Sequence, residues 1–328
     1  MRKNFVEIGK LTNEQLSKIV LNKLHITRKE VLIGSGVGVD CAALDFGGQY
    51  CVLSTDPITA AEQGAGALAV HISANDIAAS GGEPFAMLVT ILLPPQYDLE
   101  HLSNMMQEIY EEAHKLNIDI VGGHTEVTEA VNKAVISVAA IGKTDRILQY
   151  SDIRPGDHLI LTKSCGIEGA LILCGDHPQM AEHLLSEQER AQLKGMKEAL
   201  SVVKEAGIAK KMGAVAMHDI TEGGVYGAAH EVAEAAGLGL LLRKGNIPVN
   251  AIAGKVCAHY GLEPYRLISS GSLLIVQHGD EAPLLEALRE QGIEAACIGE
   301  FMSPEYGICT DCGETISPPT QDELFKVK

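Results

Sequence analysis

Three aspartates stand where carboxylates can do chemistry. Asp40 ends the run Gly34-Ser-Gly-Val-Gly-Val-Asp40, Asp56 directly follows the apolar Val52-Leu-Ser-Thr55 and precedes Pro57, and Asp76 lies in the helical pattern 68–80. Asp76 is four residues after Ile72 and three before Ala79, which puts it on their face of the helix and at least partly inside. A buried carboxylate is costly unless it is paired or bound to a cation. Local cations are missing: no Lys or Arg occurs between Lys29 and Lys115. Hard oxygen ligands gathered without basic partners suit Mg²⁺, which takes a few carboxylates and shares its remaining positions with water and phosphate. Each aspartate alone could equally be a cap, a turn former or a solvated side chain; it is the combination that points to a metal. His71, on the same helix, is read as a hydrogen-bonded core or surface residue.

Two polar clusters follow apolar runs. Val121-Gly-Gly-His-Thr-Glu126 closes one, and Met217-His-Asp-Ile-Thr-Glu-Gly-Gly224 closes another and opens a helical pattern. Backbone N–H groups at a glycine-rich helix start can receive phosphate oxygens, helped by the helix dipole. Neither cluster is a GxxxxGK[ST] loop, and the Gly34–Gly38 run lacks the spacing of a dinucleotide fingerprint. That run is expected to close over phosphates and bring Asp40 to the metal. Cys309-Thr-Asp-Cys312 is half of a zinc site, a redox pair, or two reduced cysteines in a turn. Met105-Met106 falls in a helical pattern and reads as core.

The elements that must position these groups alternate. Strands are expected over 50–55, 86–93, 119–122 and 134–141, with helices over 66–80 and 98–116, the second capped by Asp98. A turn-rich link, Ser151-Asp-Ile-Arg-Pro-Gly-Asp157, precedes the apolar run 159–162. Beyond it come a helix from Ser186 with Glu189 completing a capping box, a helix over 222–236, strands over 238–242 and 272–277, and a helix over 281–291. The tail from Ser303 has three prolines and little periodicity. Two α/β domains are expected, 1–153 and 154–328.

Composition removes other classes. The 328 residues carry a net charge of −17, with 8 Tyr, 5 Phe and no Trp, so a phosphate backbone would be repelled and stacking platforms are few; no nucleic-acid partner is expected. With 46% hydrophobic and 21% charged residues the chain is ordinarily globular. No apolar run approaches the ~20 residues of a membrane span, and no apolar stretch follows the basic start, so a cytoplasmic protein with reduced cysteines is expected.

Six segments in order make the reading more specific: Gly-Val-Gly-Val-Asp-Cys-Ala-Ala-Leu (36–44), Ser-Thr-Asp-Pro (54–57), Asn-Asp-Ile-Ala-Ala-Ser-Gly-Gly-Glu-Pro (75–84), Val-Gly-Gly-His-Thr-Glu (121–126), Pro-Gly-Asp-His-Leu-Ile-Leu-Thr (155–162) and His-Asp-Ile-Thr-Glu-Gly-Gly (218–224). Together they resemble the aminoimidazole ribonucleotide synthetase (PurM) superfamily, which also holds thiamine-monophosphate kinase, selenophosphate synthetase and the hydrogenase-maturation protein HypE. The nearest likeness is to the HypE branch and its AIR synthase-related kin. The resemblance implies a PurM-like two-domain α/β (α+β) fold, a homodimer whose N-terminal strands join into a barrel, a C-terminal α/β sandwich, and ATP with Mg²⁺ in the cleft between domains. It implies metal ligation by Asp40, Asp56 and Asp76, and nucleotide contacts from Gly36, Gly38, Asn75, Gly122, Gly123, His124, Thr125, Thr221, Gly223 and Gly224. Catalytic roles fall to Asp40, Glu126 and Asp219.

The implied chemistry is phosphoryl transfer from ATP to a small or protein-bound acceptor, in the HypE and synthetase branches an amide-type oxygen that the phosphate turns into a leaving group. A kinase of the thiamine-monophosphate type and a non-catalytic ATP-binding maturation or regulatory protein are the alternatives, and a maturation partner protein is a further expectation. Three departures bear on the choice. Val39 stands where relatives often have a second acid beside Asp40, Ser269-Ser-Gly-Ser272 stands where HypE has Ser-Glu-Gly-Lys, and the sequence ends Leu324-Phe-Lys-Val-Lys328 rather than in the cysteine HypE uses. The last two argue against dehydration of a group carried on the chain's own C-terminal cysteine.

Overall fold

The computed structural model describes residues 13–15, 17, 31–33, 36–39, 41–59, 64–319 and 321–327. Its strands are β1 (Val31–Ile33), β2 (Ala42–Asp45), β3 (Tyr50–Ile58), β4 (Glu83–Leu93), β5 (Asp119–Val127), β6 (Val135–Thr144), β7 (His158–Thr162), β8 (Ala216–Asp219), β9 (Gly239–Leu242), β10 (Leu273–Gln277), β11 (Ala295–Met302) and β12 (Ile308–Thr310). The helices are α1 (Asn13–Gln15), α2 (Ala65–Ala79), α3 (Leu99–Lys115), α4 (Ile167–Asp176), α5 (Pro178–Leu184), α6 (Glu187–Gly195), α7 (Val203–Lys211), α8 (Gly224–Ala236), α9 (Ala251–Tyr260) and α10 (Ala282–Glu290). The strands form two six-stranded sheets, in the orders β1-β2-β3-β6-β4-β5 and β12-β9-β11-β7-β10-β8. Residues 145–157 connect them. No helix among the described residues is long and apolar enough to cross a membrane.

Short-range signals in the sequence act where they stand. The Asp98 carboxylate accepts from the Glu100 N–H at 2.9 Å and starts α3. Ser186 and Glu189 make the reciprocal capping box of α6. Two expectations need correction. β3 does not stop before Pro57: pairing with β6 continues through Pro57↔Ser137 to Ile58↔Ile136, so Asp56 lies inside the strand. Proline is tolerated because β2 pairs β3 only as far as Leu53, leaving this stretch with one strand neighbour among the described residues. The 121–126 cluster likewise lies within β5, whose parallel pairing with β4 runs on to Leu93↔Val127. Gly123 makes that possible. Its φ is 152°, and a Cβ there would sit 1.9 Å from the Val89 carbonyl oxygen. Met105 is core as expected, but its neighbour Met106 is exposed. The tail is less irregular than its prolines imply: β12 adds to the second sheet, and Ile316 and Leu324 are buried.

One helix belongs to both halves. α2 is buried on nearly every side, as its Ala- and Gly-rich sequence requires, packing on β3, β6 and α3 and also on α7 and β8. Ala69, Val70 and Ile77 sit in the first-sheet core, whereas Ala78 and Ala79 join Ile160, Val202 and Met217 of the second half. Asn75, fully buried, fastens this contact. Its Nδ2 donates to the Leu200 carbonyl at 2.8 Å, and its Oδ1 accepts from the Val202 N–H at 2.8 Å. Lys163 grips the same segment from the other side. Its Nζ donates to the carbonyls of Ala199 (2.8 Å) and Ser201 (2.7 Å) while pairing with the buried Glu205 at 2.5 Å.

Replacing Asn75 by Ala would leave a buried carbonyl and a buried N–H without their partner, a cost of about 1–3 kcal/mol each. Asn75→Ala is therefore expected to lower the unfolding free energy of the full chain by ~2–4 kcal/mol in urea denaturation. A loss comparable to a surface substitution would show that the clamp does not bear the interdomain contact.

Candidate nucleotide site between the two domains

A cavity of about 280 Å³ opens where α2 ends, the connecting segment passes, and the second sheet begins. Its sheet-side wall is apolar, from Ile33, Val39, Cys41 and Val52; the connector contributes Gln149 and Tyr150, and the second domain Met217. An apolar slot with a few convergent polar groups is the usual form of a small-molecule site. Asp76 reaches it from α2. The Tyr150 ring stacks on His218 at 6.2 Å, so the connector is held against β8.

Asp76 is only 4% exposed and accepts a short hydrogen bond from the Ser54 hydroxyl of β3. Ser54 and Asp56 are two residues apart on β3 and so share its face toward α2, Ser54 buried and Asp56 half-buried. Asp40 lies outside the described residues, but Val39 and Cys41 on either side of it both line the cavity. The glycine run before it makes a tight turn: Gly36 and Val39 bridge, with Gly38 at φ 69°. Gly34 also lies outside the described residues. Asp76 from α2 and the neighbours of Asp40 on the β1–β2 connection thus share one cavity, while Asp56 lies two residues along β3 from the Ser54 that holds Asp76. A carboxylate beside an apolar slot is compatible with a hard divalent cation and a nucleotide.

The remaining residues divide. Asp219 ends β8, 1% exposed, beside the His218 that stacks on Tyr150 and lies 3.5 Å from Glu231. Asn75 turns away from the cavity into the interdomain clamp. Gly122, Gly123, His124, Thr125 and Glu126 lie exposed along the edge strand β5, away from the cavity lining, with His124 and Glu126 paired at 3.5 Å. Thr221 accepts from the Gly224 N–H at 3.2 Å, forming the turn into α8. The Gly223 N–H at that helix start is taken by the chain itself, donating to the Asp322 carboxylate at 2.6 Å. Gly224 is required by close approach, since a Cβ would lie 2.6 Å from the Tyr265 carbonyl.

The two halves of the chain match the AIR synthase related protein N-terminal domain over residues 38–144 and the C-terminal domain over residues 154–309. The chain belongs to the AIR synthase-related family. It is 27% identical to a putative hydrogenase expression/formation protein of Methanocaldococcus jannaschii, over 92% of this chain and 90% of the relative. It is 29% identical to the carbamoyl dehydratase HypE of Escherichia coli, over 80% of each. Among solved structures it is similar to HypE in complex with ATP, with a TM-score of 0.71, 22% identity and coverage of 96% and 97%. It is also similar to the HypE–HypF complex, with a TM-score of 0.70, 20% identity and coverage of 85% and 93%. The expected two-domain PurM-like α/β fold is thus the observed one.

Within this family fold, the second domain holds buried acids that sequence reasoning missed. Glu168 is fully enclosed at the start of α4 and accepts from the Ser270 N–H at 3.2 Å, in the segment that departs from HypE. Burial raises its pKa to about 7, helped by Asp322 and Glu222 and opposed by Ser270. Asp322 rises to about 6, again through burial, against three backbone N–H donors. Neither acid stands in a motif, and their partners lie 102 and 99 residues away, so no local pattern marks them.

The sign of their effect follows. A folded pKa above the ordinary value means the fold favours the proton, so the contribution is complete below about pH 4.5 and lost as pH rises to about 7. Glu168→Gln keeps an acceptor for Ser270 and removes the titration. It is expected to be more stable than the parent at pH 8, by about 3 kcal/mol at most, with the gap closing toward pH 5. Urea denaturation at the two pH values checks this; a pH-independent gap would show that Glu168 does not titrate there.

Proposed function

We propose that this chain is an ATP- and Mg²⁺-dependent enzyme that phosphorylates, and so activates, an oxygen of an amide-type or other small acceptor. The observation that carries the reading is the buried Asp76 carboxylate, held by Ser54 at the mouth of an apolar interdomain cavity, in a family that includes a carbamoyl dehydratase and a fold solved with ATP. Asp40, Asp56 and Asp76 would hold Mg²⁺, which supplies charge neutralisation on the transferring phosphate. The apolar wall would take the base. The Gly36–Val39 turn brings backbone close enough to follow the phosphates, and Asp219 would approach from the second domain. Excluding water from this slot would favour transfer to the acceptor over hydrolysis.

Homodimerisation is part of the proposal. Phe85, Leu88, Val121 and Val127 are exposed on and beside the β4–β5 edge, the kind of surface a second copy would cover. That pairing would also give Gly122–Glu126 a route to a nucleotide. A HypE has been solved with HypF, which supports a maturation partner protein for this chain as well.

Asp76→Asn is expected to weaken Mg²⁺-dependent ATP binding at least ~10-fold, about 1.4 kcal/mol, with unchanged circular dichroism. Calorimetric titration with and without Mg²⁺ measures it, and equal affinity in the variant overturns the metal role. Candidate acceptors are then screened for stimulated ADP release. Free phosphate with an altered acceptor supports activation; a stable phosphorylated product assigns a kinase instead.

A further inference from the structure

A second cluster of ligand-type side chains lies on the C-terminal sheet, apart from the cavity. His158 opens β7, Cys297 lies on the neighbouring strand β11, and Glu281 is the N-cap residue of α10. One ligand atom from each falls within 4.8 Å of the other two. His158 Nε2 is 3.4 Å from Glu281 Oε2, and Cys297 Sγ is 3.8 Å from His158 Nδ1. We propose that His158, Glu281 and Cys297 form a binding site for a borderline-soft divalent cation of the Zn²⁺ class.

Three observations support this. The first is spacing. With bonds of about 2.0–2.3 Å, ligands of a tetrahedral zinc stand roughly 3.3–3.8 Å apart. Glu281 and Cys297 meet different nitrogens of the His158 ring, only one of which can ligate, so a triad lying within 4.8 Å closes by about 1 Å on binding. The second is how the residues are aimed. The β7–β11 register shifts between Cys297 and Gly299, and the bulge turns Cys297 toward the side where His158 and Glu300 sit opposite each other. The third is charge. Arg243 faces the cluster, 3.8 Å from Cys297 Sγ, but its guanidinium is matched by Glu300 at 3.2 Å. The triad therefore has Glu281 to set against a cation. On binding, the Cys297 S–H bond breaks and a sulfur–metal bond forms, with one proton released to solvent. A doubly charged ion with one carboxylate and one thiolate is then neutral.

Partial exposure of His158 and Glu281, 25% and 29%, leaves room for entry and for a water as fourth ligand. Thiol and imidazole donors separate this site from the all-oxygen set at Asp76 and disfavour Mg²⁺. Its location gives it a structural consequence. Asp157, next to His158, accepts from the Arg154 N–H at 2.7 Å and contacts His278 at 2.5 Å, fixing the turn that ends the interdomain connector. A metal on His158 would stiffen that turn.

The test titrates the reduced full-length protein anaerobically with Co²⁺, reading the thiolate-to-cobalt charge-transfer absorption. One equivalent per chain is expected, displaced by Zn²⁺. Cys297→Ser should abolish the band, and His158→Gln and Glu281→Gln should weaken binding at least ~10-fold with unchanged circular dichroism. A Cys309→Ser/Cys312→Ser double variant should titrate like the parent. The proposal is overturned by absence of the band, by its survival in Cys297→Ser, or by its loss in the double variant, which would place the metal on the Cys309–Cys312 pair. If Cys297→Ser does not fold, the histidine variant decides: unchanged Co²⁺ affinity there is equally fatal.

Discussion

The structure depends on satisfying two adjacent polar side chains in a helix that has no wet side. α2 is enclosed by the first sheet, by α3 and by the second domain, so Asn75 and Asp76 both enter the interior. Consecutive helical residues point about 100° apart, so a single neighbour cannot serve both. Asn75 finds its partners in the 200–202 backbone of the second domain, and Asp76 finds the hydroxyl of Ser54 in the first. The helix can therefore be fully solvated by protein only when both domains are in place. The cavity lies at the end of that same helix, where the two domains meet.

The small residues of α2 make such enclosure possible. A Cβ on Gly66 would stand 2.5 Å from the Met105 carbonyl, so α3 lies directly against the helix backbone. Alanines along the remaining faces allow the same approach to both sheets. Close packing of this kind transmits displacement, because dense interiors yield little to compression.

Much of this was legible in the sequence, and the failures have identifiable causes. The periodicity around Asp76 marked α2 and its burial, and the capping signals at Asp98 and Ser186 marked helix starts, because each is settled within one turn of chain. β3 and β5 were misjudged because Pro57 and the Gly122–Gly123 pair are breakers only when a partner strand is not already present; β6 and β4 hold them in register. The burial of Asp76 could be picked out from its helical spacing. Ser54, Glu168 and Asp322 could not, since each gains its role from a partner far away in the chain. The phosphate reading of the Gly223–Gly224 helix start met the same obstacle. Pattern identifies a helix start that can take an anion, but only the fold shows Asp322 already placed there.

Three buried acids are held in three different ways. Glu205 is matched by Lys163, a full positive charge at 2.5 Å, and is committed to structure. Glu168 receives a backbone N–H and is pushed up to about 7 by its enclosure, so near neutral pH it exists substantially as the uncharged acid. Ser54 gives Asp76 a third kind of partner. The hydroxyl donates one hydrogen bond and so fixes the carboxylate's orientation. The 30–114 stretch has no Lys or Arg, so any cationic side chain that meets Asp56 or Asp76 comes from elsewhere in the sequence. A buried carboxylate oriented by a hydroxyl beside an apolar slot suits the divalent cation and nucleotide proposed for this cleft.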